Sequence, residues 1–319
     1  MAALTERAGR QGVRGLSPEE LRELALLYRQ TANDLSIVRQ DGSAPGIEKR
    51  LNDLLARAHA FLYSSRRHGL GTLRQFFLED YPRLFRKLLP FTLASLLLFT
   101  AGAVLGALLT AVRPEFMHHL LGPAMVKTIE RHQMWTAPVS SMAPQASSGI
   151  MTNNLSVTFA AFAGGILGGL GTIYVIGWNG VLIGVVAAAC HQAAMSIKLW
   201  SFVAPHGSLE IPAILLAGAA GLRLAQGLLF PGLYRRGHSL AVAAADAARL
   251  LAGTIPMLVV AGTIEGFFSP SAAPVVLKFA VGALLFAALL TWLFLAGQDR
   301  EPVPDVAIHK NIPQGLKPA

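Results

Sequence analysis

Six stretches of about twenty consecutive apolar residues constrain this chain more than any other feature. A helix needs about that many residues to cross the hydrocarbon core of a bilayer. The stretches are 88–110, 155–176, 180–197, 211–230, 251–268 and 275–296. Between residues 151 and 230 the only charged residues are Lys198, Glu210 and Arg223. In lipid every backbone polar group must be satisfied internally. The pattern therefore predicts an all-α polytopic helical bundle with about six transmembrane helices. Overall, 53% of the residues are hydrophobic and 14% charged, well below the roughly 25% charged of a soluble domain.

The first ninety residues differ in kind. They hold 15 Lys/Arg and 10 Asp/Glu. "LSPEELRELALLYRQTANDLSIV" (16–38) opens with a helix start signal, in which Ser17 caps, Pro18 suits the first turn and Glu20 completes a capping box. Leu21, Leu24, Tyr28, Leu35 and Val38 follow at near-helical spacing. "DGSAPG" (41–46) interrupts, and a second amphipathic helix is predicted from about Ile47 to Ser64. Residues 72–90 mix Phe76, Phe77, Leu84 and Phe85 with Arg74, Arg83, Arg86 and Lys87, the composition of an interfacial helix. Arg66, Arg67, Arg74, Arg83, Arg86 and Lys87 are candidate contacts to anionic headgroups. The ten acids among them argue against a nucleic-acid patch. The organisation read from this is a cytoplasmic amphipathic helical segment over 1–87, a transmembrane bundle over 88–296 and a flexible cytoplasmic tail over 297–319.

Charge also predicts orientation. No signal peptide is evident, so the N-terminus is expected to stay on the side of synthesis. Six spans then put both termini in the cytoplasm. The segments on that side carry 21 of the 27 Lys and Arg residues, as the positive-inside rule requires. The long connection 111–154, with Pro114, Pro123, Pro138 and Pro144, falls outside. It is expected to form a short helix on the outer face before the second span. "GWNG" (177–180) reads as the tight turn between spans two and three.

Glycines crowd that region. Gly164/Gly168, Gly165/Gly169, Gly180/Gly184 and Gly102/Gly106 share the G-x-x-x-G spacing that lets helices approach closely in lipid. Spacing alone serves packing within one chain or a homodimer equally well. The single cysteine, Cys190, excludes an internal disulfide and reads as a buried small residue.

Three segments carry a family resemblance: "SSGIMTNNLSVTFAAFAGGILGGLGTIYVIGWNGVLIG" (147–184), "FVAPHGSLEIPAILLAGAAGLRL" (202–224) and "IPMLVVAGTIEGFFSP" (255–270). In this order they resemble the stage II sporulation protein M family, over roughly residues 88–296. The amphipathic N-terminal region and the long 111–150 connection look like its longer, non-sporulation branch. Members in endospore formers work in engulfment as membrane anchors for cell-wall-degrading enzymes. The resemblance implies an integral protein of the inner membrane that acts as scaffold or anchor for unidentified membrane or envelope proteins. It supplies no reaction.

Within these motifs lie the ionisable groups that need explaining. His206 and Glu210 stand four residues apart, and would share a face if a helix began near Pro205. Glu265 falls inside the fifth span. Charges at membrane depth normally face the bundle interior and find partners. Asn153, Asn154, His206, Glu210 and Glu265 form the candidate polar cluster, all near the outer end of their spans. It can be a structural lock, a transport or gating site, or a hydrolytic metal site with His191 as third ligand. The H-E-x-x-H spacing is absent, as are a Gly-x-Ser-x-Gly elbow and a phosphate loop. No enzyme activity, cofactor or metal is expected on these grounds.

Overall fold

A computed structural model describes residues 1–11, 16–41, 45–62, 70–134 and 143–298. Every regular element among them is helical. The chain divides into two compact units, Met1–Leu73 and Arg74–Ala319.

The first unit holds α1 (Ala2–Gln11), α2 (Pro18–Asp41) and α3 (Pro45–Leu62). The capping box forms as the sequence indicates. The Ser17 backbone N–H donates to Glu20 Oε2 at 2.9 Å, and the Glu20 N–H donates to Ser17 Oγ at 3.2 Å. The Ser17 bond, with help from Arg7, holds the Glu20 carboxyl below its ordinary range. Leu16, Leu24, Leu35, Leu55 and Ala58 are the buried apolar side chains among its described residues. The helix α1 was not foreseen; Leu4 packs beside Leu16 and Leu24.

The boundary falls within α4 (Leu70–Gln75), and the second unit continues through a π turn at Phe76–Asp80 and α5 (Tyr81–Lys87). The unit boundary thus falls before the expected one at 87/88. The reason is burial: Tyr81 and Phe85 pack in the main core with Leu250 and Leu293. The basic residues of this stretch are also engaged by protein. Arg83 donates to the Gly297 carbonyl, and Arg86 donates to the carbonyls of Leu293, Phe294 and Ala296. Arg86 thereby satisfies carbonyls left open at a helix C-terminus. Lys87 pairs with Asp246 at 2.9 Å. Of the residues expected to meet headgroups, Arg74 alone lies exposed without such a bond among the described residues. Arg66 and Arg67 lie outside the described residues.

Six helices long and apolar enough to span follow: α6 (Leu89–Val112), α8 (Ala143–Ala163), α9 (Leu170–Gln192), α10 (Ser196–Leu229), α11 (Arg236–Thr263) and α12 (Val275–Leu295). Between α6 and α8, α7 (Glu115–Glu130) is broken by Gly122 at φ 76°. It packs Ile129, Met117 and Leu121 near Cys190, Met195 and Leu199. The His132 ring meets the Ala193 carbonyl at 2.9 Å, fixing the end of α7 to the α9–α10 corner.

Two boundaries correct the sequence reading. "GWNG" is not a turn: residues 170–192 form one helix. The turn lies at "GGILGG", where Gly168 (φ 64°) and Gly169 (φ 87°) adopt the left-handed backbone that glycine takes without strain. Gly180 and Gly184 serve packing instead. A Cβ on either would collide with the Phe99 or Ala103 carbonyl of α6. Gly102 and Gly106 meet Gly177 and Val181 of α9 in the same way. Of the other four glycines with this spacing, Gly164 lies against Gly171 and Thr172, and Gly165 against Gly221; Gly168 and Gly169 make the turn. These faces are therefore used within one chain and carry no argument for a dimer.

The second correction concerns "PHGSLEIP". The span expected to begin at 211 begins at Ser196, so this stretch lies inside α10, 34 residues long. Two-thirds of the apolar window of α10 is buried, against 17% for α12. It touches α6, α8, α9, α11 and α12. Its "AGAAG" run (217–221) is fully enclosed, since small side chains let neighbours approach. The chemistry of 205–212 thus sits on the central helix.

Candidate functional site

Two prolines bracket the site. Pro205 and Pro212 lie inside α10. Neither has an N–H for the carbonyl four residues back, which belongs to Ser201 or Ser208. One helical turn on this stretch brings His206 and Glu210 to the same face. Opposite them, α11 widens into a π turn at Ile264–Phe268. Its signature is the bond from the Ser269 N–H to the Ile264 carbonyl at 2.8 Å, five residues back. Such bulges occur often at functional sites.

The widened turn offers two side chains to one imidazole. Ser269 Oγ lies 2.9 Å from His206 Nδ1. Glu265 Oε1 lies 3.9 Å from His206 Nε2, too far for a hydrogen bond. Glu210 and Asn154 complete the group, with the Asn154 side chain and the Glu265 carboxylate as polar neighbours of the Glu210 carboxylate. One ligand atom each from His206, Glu210 and Glu265 lies within 4.8 Å of the other two. All three are withdrawn from the surface; the His206 side chain is 7% and the Glu265 side chain 15% exposed.

Hydrogen bonding here is incomplete. Oε2 of Glu210 and Oε2 of Glu265 are buried and have no hydrogen-bond partner among the described residues. Lys278 of α12 is near in the network but spends its ammonium on the Ser269 and Ser271 carbonyls, at 2.6 and 2.8 Å. It fixes the serine that meets His206 without pairing with an acid. Two carboxylates in hydrogen-bond contact, each with one buried oxygen unpaired, are costly when both are ionised, so the pair calls for a proton or a cation.

Four of the five residues expected to cluster do so. Asn153 is the exception: it is exposed on α8 and, among the described residues, donates to its neighbour, Asn154 Oδ1, at 3.4 Å. Adjacent helical residues point about 100° apart, so both asparagines cannot face α10. His191, the third ligand of the metal reading, is exposed at the end of α9 beside Ser196. Glu265 takes its place in the group. Ser269 and Lys278 were not foreseen. Ser269 stands four residues after Glu265, a spacing that could have marked it.

A family model, stage II sporulation protein M, matches residues 95–270. That stretch holds all of the polar group except Lys278. A second, a domain of unknown function, matches residues 2–64, most of the first unit. An uncharacterized protein of Methanocaldococcus jannaschii is 31% identical over 126 residues, which are 39% of this chain and 71% of that protein. No solved structure matches the chain. With six spanning helices and a family match over more than half its length, this chain is a multi-pass membrane protein and belongs to the stage II sporulation protein M family.

Proposed function

We propose that this protein is a non-enzymatic scaffold of the cytoplasmic membrane that anchors envelope-remodelling partners, with both termini in the cytoplasm. The two-unit organisation carries the reading. A six-span bundle of the family is joined to a separate helical unit matched by its own family model. That unit leaves Leu26, Ile37 and Ile47 more than half exposed, apolar area available to a protein partner. The excess of Lys and Arg on one side of the membrane supports the orientation.

A second reading, a transporter or channel-like component, is favoured by one observation. Two half-buried glutamates face each other on spanning helices, and intramembrane ionisable groups often mark ion pathways. One experiment separates the two. A photo-crosslinking residue is placed at Ile37 or Ile47 in native membranes, and purified protein is reconstituted in liposomes. The scaffold predicts a discrete adduct with an envelope-remodelling protein and no proton or cation flux. Flux that Glu210→Gln abolishes in correctly assembled protein would replace the scaffold with the transporter.

A further inference from the structure

We propose that His206, Glu210 and Glu265 bind one divalent transition-metal ion, which joins α10 to α11 inside the membrane bundle. The proposal does not depend on the scaffold reading.

Ligand identity comes first. One imidazole and two carboxylates form a mixed nitrogen and oxygen set. Such a set suits Zn²⁺, Mn²⁺, Fe²⁺ or Co²⁺ better than Mg²⁺ or Ca²⁺, which favour oxygen alone. A cation bonded at about 2.1 Å holds tetrahedral ligand atoms roughly 3.4 Å apart. The present separations, 3.9 Å for His206 Nε2 to Glu265 Oε1 and up to 4.8 Å in the group, are wider than this. They close on a cation by rotation about the glutamate side-chain torsions.

The surroundings fit as well. A metal-bound imidazole usually donates its other ring N–H to a fixed acceptor. Ser269 Oγ stands in that position at Nδ1, which leaves Nε2 to face Glu265. Ser269 is itself held by Lys278 through its carbonyl. Asn154 supports Glu210 from α8.

Charge supplies the independent argument. The Glu210 and Glu265 side chains meet each other, and Oε2 of each is buried with no hydrogen-bond partner among the described residues. An ionised pair with a neutral imidazole carries two negative charges, which a divalent cation cancels. Three protein ligands leave one coordination position for water.

Full-length protein in detergent, stripped with a chelator, tests this by titration with Co²⁺ and then Zn²⁺. The proposal expects one Co²⁺ per chain with visible d–d absorption, displacement by one Zn²⁺, and a rise in Tm with either metal. Glu265→Gln and His206→Gln should each weaken binding at least about a hundredfold, beyond what loss of a supporting residue costs. Glu265→Asp, which keeps the charge and shortens the ligand, should also weaken it in protein that retains the wild-type elution profile. His191→Gln should change nothing. Less than about half an equivalent bound would overturn the proposal. So would binding that survives in both Glu265→Gln and His206→Gln, which would place the metal on surface histidines such as His118 and His119. A carboxylate pair that shares a proton instead would show no metal-dependent rise in Tm.

Discussion

Two buried polar groups join α10 to α11, and they are opposites. Toward the α10 C-terminus, one acid meets two cations. Asp246 Oδ2 accepts from Arg223 at 3.1 Å and from Lys87 at 2.9 Å, and Arg223 also donates to Gln226. In the middle of α10, two acids meet a histidine and no Lys or Arg pairs with either among the described residues. In the first group the buried acid has its counter-charge, and the surplus cation, Lys87, is 59% exposed to solvent. In the second the acids have none, and only the second needs something the chain does not supply. Burial alone therefore does not tell a structural lock from a binding site; the balance of charge does.

Four substitutions, all read by thermal unfolding of detergent-solubilised protein, test this contrast and the packing beside it. The largest effect is expected at Asp246. Asp246→Ala leaves Arg223, only 15% exposed, without its acid, and should destabilise by about 3 kcal/mol. In metal-stripped protein, Glu265→Gln should cost nothing or raise Tm, because it removes an uncompensated group. If both substitutions destabilise metal-stripped protein equally, the two groups are alike and the contrast collapses. A smaller effect is expected at Arg86, whose guanidinium serves three carbonyls at the end of α12. Arg86→Met should cost about 2 kcal/mol.

The smallest loss of stability concerns Tyr81, whose hydroxyl donates to the Leu250 carbonyl at 3.1 Å. Tyr81→Phe should cost about 1 kcal/mol near neutral pH. Burial pushes the Tyr81 phenol above its ordinary range. The folded protein then ionises later than the unfolded chain. The Tyr81 contribution is full below about pH 10 and falls as the pH rises beyond it. The gap between wild type and Tyr81→Phe should therefore close by about pH 11. A gap that stays constant with pH would show that Tyr81 does not resist ionisation.

Much of this molecule could be read directly from the chain. Span number followed from hydrophobic length, and the Ser17/Glu20 capping box from a local pattern that needs no tertiary context. His206, Glu210 and Glu265 stood out because charge is scarce around them. What could not be read depends on contacts between distant residues. Glycine in "GWNG" and glycine in "GGILGG" look alike in sequence. The first lies where α6 approaches and the second where the backbone turns. Arg83, Arg86 and Lys87 resemble a lipid-facing row until α12 and Asp246 are placed beside them. Asn153 and Asn154 were indistinguishable until the rotation of α8 was known. Ser269 gained its role from a π turn that no residue pattern announces.

The Gly168–Gly169 turn also bears on how the chain enters the membrane. It connects α8 and α9 with no polar loop, and no Lys or Arg lies between Arg131 and Lys198. A hairpin whose turn holds no charge carries no topological signal at that turn. It must insert as a pair whose direction is dictated by its neighbours. Moving a lysine into that turn would give the insertion machinery a signal that the native chain withholds.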